Sequence, residues 1–329
     1  MVEKTKPESK SDSTGLGKRI IAALPKEATL IFIFILFCIV LSILTPRFFT
    51  VQNLRNLVRQ TATIGVVSLG MTYVIISGGI DLSVGSVLAF AGISGALLMV
   101  GGTPIVLAVI VALALGALLG LVNGIAIHEG RVPPFVATLG MMTAARGLTM
   151  LVSGARMVTG LPRPFVQFAQ LTIVGLPALF FVWLVLIIGS ILVTQYSRFG
   201  RNVFAIGSNR EAARLSGINI RFNTYGVYMV SGFMAAVGGM MMTSRLANGV
   251  PTAGQMYELD AIAAAVVGGA SLMGGEGTII GTVVGAMIIA TIRNGGNLLG
   301  VNPFVLQVLI GVLVVVAVMV DQMNKGRSE

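Results

Sequence analysis

The sequence is dominated by apolar runs, each about as long as a membrane is thick. A helix of roughly 17–25 apolar residues is needed to cross the hydrocarbon core of a bilayer. Ten runs predict spans at 28–45, 60–79, 82–100, 104–127, 134–153, 174–196, 222–244, 258–273, 277–295 and 303–320. We therefore expect an all-α polytopic membrane protein, with a transmembrane domain at 28–321 between polar tails at 1–27 and 322–329.

Some of these spans are expected to be broken or re-entrant. The eighth run is short, and glycine pairs occur around Gly78, Gly268 and Gly274. Non-helical backbone at membrane depth is tolerated only where protein or a polar cavity covers it. These glycines therefore indicate places where a chain segment turns inside the bundle.

A polar segment at residues 198–221, called the polar island below, separates two long uncharged runs. It contains five arginines. Within it, Ser208 followed by Glu211 matches a capping box, and Gly217 supplies a helix stop. The pattern predicts a short helix from about Asn209 to Ser216. Local physics leaves two interpretations open: the helix is presented to a partner, or it lies on lipid headgroups.

The distribution of lysine and arginine predicts the orientation of the chain. With the N-terminus inside, most of these residues fall in inside segments, among them the N-terminal tail and the polar island. Positively charged loops favour the cytoplasmic side. We expect both termini and the polar island to be cytoplasmic. The net charge of +10 is then explained by membrane orientation and not by nucleic-acid binding.

The sequence also indicates an internal duplication. Asp81 opens the third predicted span and Asp260 opens the eighth, so spans two to five and seven to ten would form halves of opposite orientation. Each half carries a glycine triad with four-residue spacing, on spans four and nine. Close helix packing is our interpretation of these glycines, which are Gly116, Gly120, Gly124, Gly277, Gly281 and Gly285.

Charged residues inside spans are costly, so they pair with one another or mark a pathway. We expect Asp81 and Asp260 to cap the helices they begin rather than to contact substrate. Arg293 should lie near the same face as Asp260, which makes a structural pair plausible. Arg146 lies mid-span without a local acidic partner, and we expect it to face the bundle interior and to brace it.

The motifs of catalysis, ATP binding and metal binding are absent. The sequence contains no G-x-x-x-x-G-K-[ST] and no His-Glu-x-x-His. A single cysteine and a single histidine make a Cys- or His-based metal site improbable. The function classes that remain are a secondary carrier, a channel, and a transport subunit driven by another chain.

Several motifs in order resemble those of a known family. EAARLSG at 211–217 matches the Glu-Ala-Ala-x-x-x-Gly element of bacterial ABC importer permeases, although the Ile-x-Leu-Pro portion that usually follows is missing. More specifically, the chain resembles the ribose-type monosaccharide permeases from about residue 29 to 321. This likeness is carried by ISGGIDLSVG at 76–85, AIGSN at 205–209, RLSGIN at 214–219 and YELDAIAA at 257–264.

The resemblance implies a fold like that of the cobalamin importers, with ten spans per subunit, and a multi-subunit machine in the bacterial inner membrane. Two permease subunits, as a homodimer or with a related permease, would form the pathway. A cytoplasmic ATPase would dock beneath them, and a periplasmic protein would deliver the sugar. The polar island would hold the coupling helix, with docking residues Asn209, Arg210, Glu211, Ala212, Ala213, Arg214 and Gly217.

The alternative is an ATP-independent channel or secondary carrier for a small polar solute. A coupled carrier would be expected to carry more midplane carboxylates than this chain does. In the resembled family, specificity resides in the binding protein, so we predict no single substrate-binding residue. The resemblance implies neither enzymatic activity nor a cofactor in this chain.

Overall fold

The computed structural model describes residues 26–325. The predicted N-terminal tail at 1–27 therefore lies almost wholly outside the described residues, and part of the C-terminal tail at 322–329 does too. The described chain consists of α-helices and one two-stranded antiparallel sheet formed by β1 (Thr172–Ile173) and β2 (Leu176–Pro177). In chain order, the helices are α1 Lys26–Leu44, α2 Val51–Ile76, α3 Val84–Val100, α4 Ile105–His128, α5 Pro134–Ser153, α6 Arg163–Gln170, α7 Ala178–Tyr196, α8 Arg198–Ser208, α9 Arg210–Leu215, α10 Ile220–Leu246, α11 Tyr257–Val267, α12 Ile279–Leu298 and α13 Pro303–Lys325.

Each predicted span overlaps one of these helices, but the helices differ in how well they suit a bilayer. Within residues 26–325, five are both long and apolar enough to cross a membrane: α4, α5, α7, α10 and α12. Shorter apolar helices occur at Ala28–Leu44, Val84–Val100 and Pro303–Leu313. The eighth predicted span is helical only over α11, whose 11 residues are too few to span hydrocarbon.

The core of the bundle is built around α2, α10 and α12. Every residue of α2 from Thr61 to Ile76 is buried, and α10 and α12 are also mostly buried. By contrast, α4, α5 and α7 turn most of their surface outward. Their outward residues are large and apolar, as lipid-facing positions require.

Close approach of helices depends on the α4 glycines. A Cβ on Gly116 would lie 2.6 Å from the carbonyl oxygen of Gly232, and one on Gly120 would overlap the carbonyl oxygen of Tyr228. Gly124 sits against the backbone of Tyr225 in the same way. All three glycines therefore face α10 at backbone contact.

The second triad is arranged differently from the prediction. Gly281 and Gly285 lie on α12 against the carbonyl groups of Gly268 and Ala264. Gly277 is not on a helix: its φ is 151°, and α12 begins two residues later, after the Thr278 side chain has accepted the N–H of Gly281 at 3.0 Å. The prediction that Gly277 shares a helix face with Gly281 and Gly285 was wrong, because the helix begins after its cap, Thr278, and Gly277 precedes that cap.

Helices end near the predicted glycine breaks. After α2, Gly78 adopts a left-handed conformation with φ of 79°. After α11, the segment 268–278 is non-helical and contains Gly269, Gly274 and Gly275, all with positive φ. The segments after α2 and after α11 meet, since the N–H of Gly275 donates to the carbonyl oxygen of Ile76 at 2.8 Å.

Candidate docking surface and buried polar groups

The polar island forms two helices where the sequence predicted one. The first, α8, is capped by Ser197, whose hydroxyl accepts the N–H of Gly200 at 3.0 Å. It buries Val203 and Ile206 and leaves Arg198 and Arg201 exposed. It is therefore an amphipathic helix lying against the bundle.

The end of α8 is packed onto the two broken segments of the bundle. A Cβ on Gly207 would overlap the carbonyl oxygen of Ile76 and would lie 2.5 Å from the backbone nitrogen of Gly275. A Cβ on Gly275 would in turn meet the Ser208 side chain at 2.6 Å. This backbone junction connects the island directly to the segments after α2 and after α11. The AIGSN motif contains Gly207, but the sequence did not reveal the contact, because it joins three distant parts of the chain.

The second island helix, α9, is capped by Asn209 and not by Ser208 as predicted. Asn209 has an extended backbone and its side-chain oxygen accepts the N–H of Ala212 at 2.9 Å. Ser208 cannot serve as the cap because it is the last residue of α8. Gly217 follows the helix with φ of 80°, in the conformation that a helix stop requires.

The outer face of α9 combines charge with one large apolar side chain. Arg214 donates two hydrogen bonds to Glu211, at 2.5 and 3.1 Å. Glu211 therefore does not reach back to complete a capping box. Donation by Arg214 holds the pKa of the Glu211 carboxyl below its usual value. Leu215 beside them is 76% exposed.

The inner face of α9 anchors it to the rest of the island. Ala213 is buried and packs with Ile206 and Ile220. The remaining predicted docking residues, Asn209, Arg210 and Ala212, are exposed with Glu211 and Arg214. Six of the seven predicted docking residues are thus exposed, although Arg210 also lines a small cavity with Ser77 and Tyr228, and Ala213 anchors the helix.

A separate polar contact fixes the start of α10 to the end of α4. Glu129 accepts a hydrogen bond from the Tyr225 hydroxyl at 2.6 Å and pairs with the Arg221 guanidinium at 2.7 Å. The hydrogen bond from Tyr225, followed by the nearby arginine, lowers the pKa of the Glu129 carboxyl. This contact gives the polar island a second attachment to the bundle.

Asp81 is buried among hydroxyl groups. One carboxylate oxygen accepts the N–H and the hydroxyl of Ser83, at 2.9 and 2.6 Å, and the other accepts the Ser231 hydroxyl at 2.7 Å. Asn123 extends the network by donating to the Ser83 hydroxyl at 3.0 Å. Asp81 does not cap α3 as predicted, because it accepts the N–H of Ser83, the residue before the helix, and no N–H of the helix itself. It instead links the start of α3 to α10 through Ser231, which the sequence did not indicate.

Asp260 does not cap α11. It is the fourth residue of that helix, and one of its carboxylate oxygens accepts a hydrogen bond from Arg293 at 2.6 Å. Its side chain is fully buried, whereas that of Arg293 is 27% exposed. The ion pair joins α11 to α12, so the carboxylate is used across helices and not at its own helix end.

Arg146 turns inward and meets backbone carbonyls. Its guanidinium donates to Pro251 at 2.7 Å and to Ala253 at 2.9 Å. Both acceptors lie in the segment between α10 and α11. The side chain therefore ties α5 to a distant, non-helical part of the chain.

We predict that Arg146→Leu lowers the yield of folded protein more than it lowers transport per folded molecule. The substitution leaves two inward carbonyl groups without their donor, even though a mid-span arginine itself costs roughly 2.5–3.5 kcal/mol to insert. The measurement is uptake in liposomes normalised to correctly assembled protein. Arg146→Lys keeps the charge but loses the planar guanidinium. Its yield of folded protein should lie between those of wild type and Arg146→Leu. Normal assembly with abolished uptake would place Arg146 in the pathway instead.

The described residues contain no group of three or more His, Cys, Asp or Glu side chains that could hold a metal ion. The charged groups Asp81, Asp260 and Arg146 instead join helices and loops of the bundle to one another.

Comparison with known proteins identifies the family. A family described as the branched-chain amino acid transport system / permease component matches residues 53–318. This chain belongs to that permease family. No solved structure matches it.

The relatives of this permease include several sugar importers. It is 42% identical to the ribose import permease protein of Bacillus subtilis, over 86% of this chain and 89% of the relative. It is 41% identical to the ribose import permease protein of Escherichia coli K12, over 91% and 94%. The galactose/methyl galactoside import permease protein of that strain is 33% identical, over 96% and 100%.

The prediction of an ABC importer permease is therefore confirmed. Permeases of this kind are multi-pass proteins of the inner membrane and are not enzymes. ATP hydrolysis takes place in a separate subunit, and a periplasmic binding protein supplies the substrate. The island surface and the junction behind it are thus features of a transport subunit.

Proposed function

We propose that this permease forms the membrane pathway for import of a monosaccharide, ribose or a related sugar. The relatives described above are named for ribose and galactose, and a further one, 36% identical, is named for D-allose. The likeness to ribose permeases covers most of both chains. The family description names branched-chain amino acids, whereas these relatives, which match along most of the chain, are named for sugars.

We further propose that α9 is the surface on which the ATPase docks. The observation that carries this proposal is its geometry: a capped helix with exposed Glu211, Arg214 and Leu215, held by buried Ala213. Behind it, Gly207 contacts the segments that follow α2 and α11. A shift of the island would therefore press directly on the two places where helices of the bundle are interrupted.

We also propose how the chain is arranged in the membrane and how its subunits assemble. Ten spans in two inverted halves, as in the cobalamin importers, would place both termini and the island in the cytoplasm. A second permease subunit, identical or related, would complete the pathway.

Uptake by the reconstituted complex tests the substrate. The permease, its ATPase and its binding protein would be placed in liposomes and supplied with labelled ribose, galactose, allose or leucine. We expect ATP-dependent uptake of one of the sugars. Uptake of leucine alone, or uptake that does not need ATP, would contradict the proposal.

Reversing a charge on α9 tests the docking surface. We predict that Glu211→Lys lowers ATP-dependent uptake several-fold and reduces the ATPase recovered with the permease, because it places like charges at the contact. Membrane insertion should be unchanged, since Glu211 and Arg214 are 65% and 63% exposed.

Two further variants separate docking from local stability. Glu129→Lys breaks another exposed ion pair of the island face, away from α9, and should leave ATPase recovery intact. The double variant Glu211→Lys with Arg214→Glu restores a pair within the helix but reverses the surface. If the exchange restores recovery of the ATPase, only the intrahelical pair matters and α9 is not a charge-specific docking surface.

A further inference from the structure

A deep apolar groove runs between α4 and α7, with α10 as its floor. The half nearer the polar island has a volume of about 730 Å³. Apart from Tyr73, Ser190 and Ser197, all of its lining residues are apolar. The Tyr73 hydroxyl is satisfied by the carbonyl oxygen of Ser190 at 3.1 Å. The Ser190 hydroxyl is the one buried lining oxygen of this groove left without a partner among the described residues, so the surface of the groove is almost entirely apolar.

The groove lies at membrane depth. Its walls and floor are α4, α7 and α10, three of the five described helices that are long and apolar enough to cross a membrane. A second apolar groove of about 820 Å³ meets it at Val185 and Leu186 and continues toward α6. The cleft is thus open to the hydrocarbon region along α7.

Positive charge stands at the island end of this groove. Ser197, Phe199 and Phe222 line that end, and Arg198 and Arg201 lie beside them in the first turn of α8. Of the five island arginines, Arg214 and Arg221 pair with carboxylates. Among the described residues, Arg198 and Arg201 pair with none, and the positive end of the α8 dipole adds to their charge.

We propose that this groove binds an anionic phospholipid, with an acyl chain between α4 and α7 and the phosphate at Arg198 and Arg201. Apolar walls suit the acyl chain, and guanidinium groups that pair with no carboxylate suit the phosphate. The Arg201 guanidinium also donates to the Tyr196 carbonyl oxygen at 3.3 Å, which leaves its other N–H groups for a phosphate. The lipid would touch α8, the helix whose other end contacts Ile76 and Gly275. This role goes beyond sugar import and does not depend on which substrate is carried.

A second copy of the chain fits the same face less well. Two-fold dimers bring the same patch of each subunit together. With the axis along the membrane normal, such contact would bring the arginines of both copies to the same depth and close to one another. Like charges at an interface are unfavourable, whereas an anionic lipid removes the repulsion.

The test measures lipid retained by the permease purified in mild detergent, using native mass spectrometry with added phosphatidylglycerol or phosphatidylcholine. We expect wild type to retain phosphatidylglycerol preferentially. Arg198→Gln with Arg201→Gln should weaken retention of phosphatidylglycerol about tenfold and leave that of phosphatidylcholine unchanged.

Filling the groove should remove both lipids. Gly189→Leu is suited to this, since a Cβ at Gly189 meets nothing within 4 Å and the residue lines the groove. Ala117→Leu fills it from the opposite wall if the first variant folds poorly. Gly147→Leu on α5, also in open space, is the matched control and should retain lipid as wild type does. Unchanged lipid retention in folded groove-filling variants would overturn the proposal. A groove-filling variant that no longer forms a dimer but still retains lipid would overturn it as well.

Discussion

Arg293→Leu is expected to be among the most damaging single substitutions in this permease. The Asp260 side chain is fully buried and pairs with the Arg293 guanidinium at 2.6 Å. Removing one member of a buried ion pair leaves an uncompensated charge and costs about 3–5 kcal/mol. We expect a matching loss in the free energy of unfolding, measured by denaturant titration of the purified protein.

The effect should be asymmetric and should be rescued by a second change. Arg293 is 27% exposed, so Asp260→Asn leaves a charge that water can still reach and should cost less than Arg293→Leu. Asp260→Leu combined with Arg293→Leu removes both charges and should recover most of the stability, as for other buried pairs replaced by apolar groups. If the double variant is no more stable than Arg293→Leu, the ion pair is not the source of the loss.

The helices were largely predictable from the sequence, because hydrophobic length and glycine breaks are local signals. Every predicted span overlaps a helix, and α2 and α11 end beside the glycines that the sequence marked. What the sequence could not supply was burial. Residues 82–100 and 104–127 read alike as apolar runs, yet α3 is mostly buried and α4 turns much of its surface outward.

The island shows where local reasoning stops. Ser208 and Glu211 have the spacing of a capping box. Ser208, however, is the last residue of the preceding helix and cannot cap the next one, so Asn209 is the cap. That earlier helix is fixed by contacts of Val203 and Gly207 with the bundle. Such contacts depend on the fold, so the four residues of the capping-box pattern cannot predict where the earlier helix ends.

The partners of the polar groups inside the bundle were likewise not predictable from local sequence. A costly mid-span arginine predicted a partner for Arg146, and the sequence could say that it faces protein. It could not say that the partners are the carbonyls of Pro251 and Ala253, which lie more than a hundred residues away. For Asp260 the capping role was wrong, whereas the pair with Arg293 that the sequence suggested is present at 2.6 Å.

Gly120→Leu is expected to prevent normal assembly of the bundle. A Cβ at Gly120 would overlap the carbonyl oxygen of Tyr228, and rigid backbone cannot yield as a flexible side chain can. Overpacking usually costs about 1–3 kcal/mol, and we expect at least the upper part of that range because α4 and α10 must separate.

The measurement is the fraction of expressed permease that elutes as folded, monodisperse protein, together with its thermal unfolding temperature. Gly281→Leu, which meets the Gly268 carbonyl, should behave in the same way at the contact of α12 with α11. Gly147→Leu makes the same chemical change where a Cβ meets nothing within 4 Å, and it should assemble normally. Because all three variants add the same side chain to a helix glycine, a difference between them isolates backbone contact from helix propensity and hydrophobicity. Equal assembly of Gly120→Leu and Gly147→Leu would show that α4 and α10 can separate without loss, and that the α4 glycines are not needed for close packing.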